Sequence, residues 1–134
     1  MKDKRKNIAQ SVLDRLQTFA DHEGLNYNNV QIRYVLERLL YRLSVSSQRD
    51  CFALKGGMLF AIWMENPFRM TIDIDLLGFG NSRADALQDA FRIIMDTPVA
   101  DDGVVFDMPP AIAAASGERF ARKWKSIDRL WTEL

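Results

Sequence analysis

The sequence predicts an α/β or α+β fold, with a small sheet of roughly two or three strands flanked by roughly four or five helices. Three observations carry that expectation. Apolar residues recur at helical spacing through most of the first 44 positions. Short apolar runs, each followed closely by glycine, come at 52–54 and 70–77, the second rich in β-branched residues. The chain has 134 residues, 48% of them hydrophobic, which suits one domain with a real core.

Residues 7–22 read as an amphipathic helix, with Ile8, Val12, Leu16 and Phe19 on one face and Gly24 near its C-cap. Asn26 to Asn29 open a second helix over about Val30 to Ser44. Its apolar positions are Ile32, Val35, Leu36, Leu39, Leu40 and Leu43, with Arg33, Glu37, Arg38 and Arg42 between them. Glu37 stands one turn from Arg33, where an ion pair contributes a few tenths of a kcal/mol. Phe52 to Leu54 is a short strand leading into Gly56-Gly57. Gly57 to Met64 is apolar nearly all round, the mark of a buried helix. Met70 to Leu77 is a second strand, ended by Gly78-Phe79-Gly80. Asn81 or Ser82 caps a helix over Arg83 to Met95, with Asp85 near its positive end. Asp101-Asp102-Gly103 signals a turn and Val104 to Phe106 a short strand. After Asp107 the texture changes. Pro109-Pro110 breaks the chain, and Phe120, Trp124, Ile127 and Trp131 recur at near-helical spacing. The organisation is therefore N-terminal helices plus a partial core over 1–107, then an atypical helical tail over 108–134.

Composition narrows the function classes. Lys+Arg and Asp+Glu both number 18, so the net charge is zero and nothing suggests a general polyanion binder. The cluster Lys2, Lys4, Arg5 and Lys6 reads as a solvated end. One cysteine, Cys51, excludes an internal disulfide and a cysteine-based zinc site, and beside Phe52 it reads as a small core residue. No apolar run reaches the ~18 residues of a membrane span and no signal peptide is visible, so a cytoplasmic location is the default expectation. His22, the only histidine, suits a helix C-terminus.

Two elements carry chemistry. In Thr71-Ile72-Asp73-Ile74-Asp75-Leu76, two carboxylates stand two residues apart inside an apolar run. Alternate side chains of a strand share a face, so Asp73 and Asp75 project together. A buried strand rarely carries two acids on one face, because each charge must be paired or bind a cation. Two readings stand. One is a strand entering a turn, its acids wet or paired with Arg69 or Arg83. The other is a carboxylate clamp for Mg²⁺, a hard cation held by one or two carboxylates plus substrate phosphates. The second element is Lys55-Gly56-Gly57. A glycine pair lets backbone N–H groups approach an anion closely, and a helix starting at about Gly57-Met58 presents a phosphate site. Lys55 either neutralises a phosphate or is an ordinary exposed lysine. Arg33, Arg38, Arg42 and Arg49 either line an entry for a triphosphate or RNA or form a solvated helix face. A phosphate cradle followed by an Asp-x-Asp strand outlines a metal-dependent nucleotidyltransferase.

The segments 34–44, 52–60 (Phe-Ala-Leu-Lys-Gly-Gly-Met-Leu-Phe), 71–78 (Thr-Ile-Asp-Ile-Asp-Leu-Leu-Gly) and 102–107 resemble the AbiEii/AbiGii nucleotidyltransferase toxin family, over roughly residues 7–107. The resemblance implies a polymerase-β-like core and a toxin of a type IV toxin–antitoxin or abortive-infection system. It implies that Gly56 and Gly57 bind the phosphates of a nucleoside triphosphate, and Lys55 is taken with them as nucleotide-binding. It implies that Asp73 and Asp75 are the catalytic, Mg²⁺-binding acids, that an RNA such as tRNA is the acceptor, and that an antitoxin protein is the partner. Further strands with a third acid follow in that family. Asp107 comes too early for it, and Asp128 falls in a predicted helix. The chain therefore reads as a truncated core of weakened activity, prone to self-association through a bare sheet edge and the stripe Trp124, Ile127, Leu130 and Trp131. The alternative is a non-catalytic, nucleotide- or partner-binding remnant of the same fold.

Overall fold

The computed structural model describes residues 7–59 and 74–107. Helix α1 (Ile8–Glu23) and helix α2 (Tyr27–Val45) come first. A 3₁₀ turn (Arg49–Cys51) leads into strand β1 (Phe52–Lys55). Strand β2 (Asp75–Gly78) and helix α3 (Ala84–Met95) follow. Of the predicted helix at 57–64, residues 57–59 are helical and the remainder lies outside the described residues.

Capping chemistry sets the helix ends. Asn7 Oδ1 accepts from Gln10 N at 3.0 Å and starts α1. At the other end Gly24 takes φ +65°, and Leu25 N donates to Ala20 O at 2.8 Å, closing the helix with a left-handed residue. Asn26 Oδ1 accepts from Asn29 N at 3.1 Å, so α2 begins at Tyr27, three residues before the predicted start at Val30. Neither Asn81 nor Ser82 is the N-cap of α3. Arg83 holds that position without a side-chain bond, while Asn81 Oδ1 accepts from Arg83 N at 3.0 Å and shapes the turn before it.

β1 and β2 are antiparallel neighbours, with Phe52 opposite Gly78, Leu54 opposite Leu76 and Lys55 opposite Asp75. Of the second predicted strand, 70–77, residues 70–73 lie outside the described residues. Ile74 stands outside the ladder, and Gly78 belongs to the strand instead of ending it. One face of the pair meets the helices. Leu43, Phe52, Leu76, Leu87 and Ile94 form the buried cluster, with Leu39, Leu40, Leu54 and Phe91 packed against it. Cys51 also packs there, as its sequence neighbours suggest. Phe52 and Phe91 meet with ring centroids 5.5 Å apart in a tilted arrangement. Burying five such side chains contributes roughly 1.5–3 kcal/mol each, before the entropy of ordering them.

No strand forms at 104–106, contrary to the hydrophobic pattern there. The backbone finds other partners: Arg42 Nη2 donates to Val104 O at 3.1 Å, and Val104 N donates to Asp102 Oδ1 at 3.1 Å. Val105 is 91% exposed, which a sheet strand of the core would not allow.

Candidate functional site

β1 delivers the chain to Lys55, and the turn follows at once. Gly56 adopts φ +74°, a conformation that costs a residue with a Cβ roughly 1–2 kcal/mol. Gly56 O accepts from Leu59 N at 3.1 Å, the first bond of the helical turn at 57–59. Met58 is fully buried and anchors that turn, while Gly57 stays exposed. The N–H groups of a first helical turn have no partner within the helix and favour an anion.

β2 brings Asp75 to this turn. The register sets Asp75 directly opposite Lys55, so both side chains stand on the same face of the strand pair. The next residue, Leu76, is 7% exposed and belongs to the core, so Asp75 faces away from it. Contact with the glycine is direct. A Cβ placed on Gly56 would collide with Asp75 Oδ2 and come within 3.2 Å of its Cγ. Gly56 is thus needed twice, for its backbone angle and for the room the carboxylate occupies. Lys55 and Gly56 stand beside Asp75, and Gly57 follows in the same turn; Asp73, the other predicted acid, lies outside the described residues. Among the described residues no group of three or more His, Cys, Asp or Glu side chains is placed to hold a metal ion.

Sequence reasoning missed a second polar constellation. Asp102 is 8% exposed at its side chain and lies beneath α2 residues spaced one turn apart. Arg42 grips it with two bonds, Nη1 to Oδ2 at 2.9 Å and Nη2 to Oδ1 at 3.1 Å. Arg38 Nε adds a third, to Oδ2 at 2.6 Å, and Tyr34 Oη donates to Asp102 O at 2.7 Å. Arg42 also stacks on the Phe106 ring, 4.9 Å from its centroid. Burial alone would push the Asp102 carboxyl up. The bonds from Arg42, Arg38 and Val104 N, with the charge of Arg42, outweigh it and hold the group well below the usual carboxylate range. Two of the four arginines considered as an entry for a triphosphate are therefore committed to the chain's own carboxylate. Of the other two, Arg33 pairs with Glu37 at 2.9 Å on the surface and Arg49 lies beside Asp50 at 3.5 Å. The available signals were the spacing of Tyr34, Arg38 and Arg42 on one helix face and the Asp-Asp-Gly turn.

The glycine turn and the acid beside it are features that a family comparison can judge. The model of the AbiEii nucleotidyl transferase toxin of type IV toxin–antitoxin systems matches residues 38–126, more than half of the chain. The chain belongs to the AbiEii family. No curated protein and no solved structure matches it. The matched span contains Lys55, Gly56, Gly57, Asp73 and Asp75, both clamp arginines and Asp102, and it runs beyond residue 107. The helix-rich architecture with a small antiparallel sheet agrees with a nucleotidyltransferase-like α/β fold. Membership implies, in general terms, a nucleotide substrate, a divalent metal and an antitoxin partner. Among the described residues no helix is long and apolar enough to cross a membrane.

Proposed function

We propose that this AbiEii-family chain is a toxin that binds a nucleoside triphosphate at the Gly56-Gly57 turn and transfers a nucleotide to an RNA acceptor such as tRNA, with Mg²⁺ held by Asp73 and Asp75. The observation that supports it most is the packing of the Asp75 carboxylate against Gly56, which sets a hard oxygen donor beside a helix start suited to phosphate. The donor set is of the right chemistry, since carboxylates and phosphates are the ordinary ligands of Mg²⁺. When bound, the metal would supply charge neutralisation of the phosphates and activation of the attacking hydroxyl.

The chain's own residues have separable tasks in this reading. Gly57 and Met58 N–H groups cradle the phosphates. Lys55, on the same face as Asp75, offers a cation to a phosphate oxygen. Gly56 keeps the backbone close enough for turn and carboxylate to share one ligand. All of these residues fall within 1–107; residues 108–134 lie outside the described residues.

Calorimetric titration of the full chain with each nucleoside triphosphate, with and without Mg²⁺, tests the reading. Binding that needs Mg²⁺ and falls at least tenfold in Asp75→Asn is expected. A labelled-nucleotide transfer assay on total RNA then identifies the acceptor. Equal affinity in wild type and variant, with metal present and absent alike, overturns the clamp.

A further inference from the structure

A cavity of about 200 Å³ opens at the far end of the strand pair, between the Phe52–Gly78 pairing and the first turns of α3. Its walls combine aromatic surface with hydrogen-bonding groups. Phe52 is buried at its floor, and Phe79, 57% exposed, stands at its rim. Gln48, Asn81 and Ser82 also line it, and the Gln48 amide already donates to Ser47 Oγ at 3.5 Å. Asn81 uses Oδ1 for its bond to Arg83 N, and its NH₂ group lies outside that bond. Ala86 on α3 is among its lining residues.

Size and position decide what fits. Drug-sized ligands take pockets of roughly 300 Å³ and more, so about 200 Å³ suits a group no larger than one planar heterocycle. The cavity end of the sheet lies three register steps from the Lys55–Asp75 pair, roughly 10 Å at 3.3 Å per residue. That distance exceeds a hydrogen bond and is within the reach of one nucleotide unit. An aromatic wall with amides at its edge is how proteins hold an unstacked base, its ring against the aromatic surface and its edge read by the amides.

We propose that this cavity is a nucleobase pocket that holds one unpaired base of a substrate engaged at the Gly56–Asp75 site. The inference rests on the nucleotidyltransferase reading for its substrate class. The base comes from the incoming nucleotide or from a single-stranded acceptor end, and the two sources are separable by experiment.

Nucleosides without phosphate or metal probe the pocket independently of the metal site. Amide shifts of Gly78, Gly80, Ala86 and Ala90 are followed by NMR as adenosine, guanosine, cytidine and uridine are added to the full chain. Saturable shifts with at least one nucleoside are expected. They should weaken about tenfold in Ala86→Leu, which fills the space, and in Asn81→Ala, an exposed position, and should persist in Asp75→Asn. Saturation with none of the four, or equal binding by wild type and both pocket variants, overturns the pocket whatever the metal site does. Triphosphate and single-stranded oligoribonucleotide titrations on the same variants assign the source: the arm that weakens contains the base. Nucleoside binding that survives while Mg²⁺-dependent triphosphate binding is absent would remove the catalytic reading and leave the pocket.

Discussion

Removing the Asp102 carboxylate should cost more stability than any other single change at a charged position among the described residues. In Asp102→Ala the Arg42 side chain, 6% exposed, loses two of its hydrogen bonds and its counter-ion. Breaking a buried pair by deleting one partner costs roughly 3–5 kcal/mol. Arg42 keeps the Arg38 and Val104 carbonyls and the Phe106 ring, which argues for the lower end, about 3 kcal/mol. With about 2.1 cal/mol/K of unfolding entropy per residue over 134 residues, the melting midpoint should fall by roughly 10 °C. Differential scanning calorimetry measures it, with Asp50→Ala as control, because the Arg49–Asp50 pair is 67% and 90% exposed. Exposed pairs contribute at most about 1 kcal/mol, so the control should move by at most a few degrees. Combining Asp102→Ala with Arg42→Met should recover part of the loss, since no buried charge is then left alone. The pH dependence has a definite sign. The folded-state pKa of Asp102 is depressed, so its stabilisation is fully present above the unfolded value near ~4 and is lost as pH falls below it toward the folded value. The difference in unfolding free energy between wild type and Asp102→Ala should be flat from about pH 5 to 8 and narrow below about pH 4. A midpoint shift no larger than the control's, or a difference that grows on acidification, would refute the reasoning.

The glycines give further predictions that separate backbone strain from crowding. Gly24→Ala meets nothing within 4 Å and pays only for φ +65°, so denaturant unfolding should show a loss of about 1 kcal/mol. Gly103→Ala shares the positive φ and also presses a Cβ to within 2.9 Å of the Ala9 Cα, so it should cost clearly more and loosen α1 in hydrogen exchange. Gly56→Ala forces the Asp75 side chain aside, since Cγ and Cβ as well as the oxygen are within reach of the new methyl. Calorimetry should find Mg²⁺-dependent nucleotide affinity reduced at least tenfold, beyond what its roughly 1–2 kcal/mol stability loss explains, and unchanged affinity would remove Gly56 from the site.

Much of the fold was legible because local signals agreed with the global answer. Asn7, Gly24 and Asn26 are cap residues whose side chains or backbone angles act within a few positions, so the ends of α1 can be read from neighbours alone. For α2 the sequence marks only the stretch Asn26 to Asn29 as its opening, and the bond to Asn29 N identifies Asn26 as the cap. The strand predicted at 104–106 failed for a non-local reason. Val-Val-Phe has the right hydrophobic texture, yet the groups that satisfy its backbone come from Arg42, more than 60 positions earlier. A texture rule has no access to that partner.

The site shows the same division between local and long-range information. Lys55-Gly56-Gly57 and Asp75 were singled out from pattern, and the antiparallel register joins them, as the shared use of Gly56 by turn and carboxylate requires. The arginines were misjudged in the opposite direction. Their positions on α2 were visible, and a solvated face or a triphosphate entry were the readings considered. Neither charge nor spacing says whether an arginine's anion is a ligand or the chain itself. Burial does: at 5% exposure Arg42 cannot be a solvated cation, and its two bonds to Asp102 leave the carboxylate, not an incoming phosphate, as its partner. In the proposed reading, phosphate recognition at this site falls to the backbone of the Gly56-Gly57 turn, with Lys55 beside it. Arg42 acts on the chain itself. It fastens the 102–106 segment to α2, one residue before the core leucine Leu43 that packs in the same cluster as Phe52 and Leu76. Loss of the clamp should therefore lower stability first, and affect nucleotide binding only through the strands that carry Lys55 and Asp75.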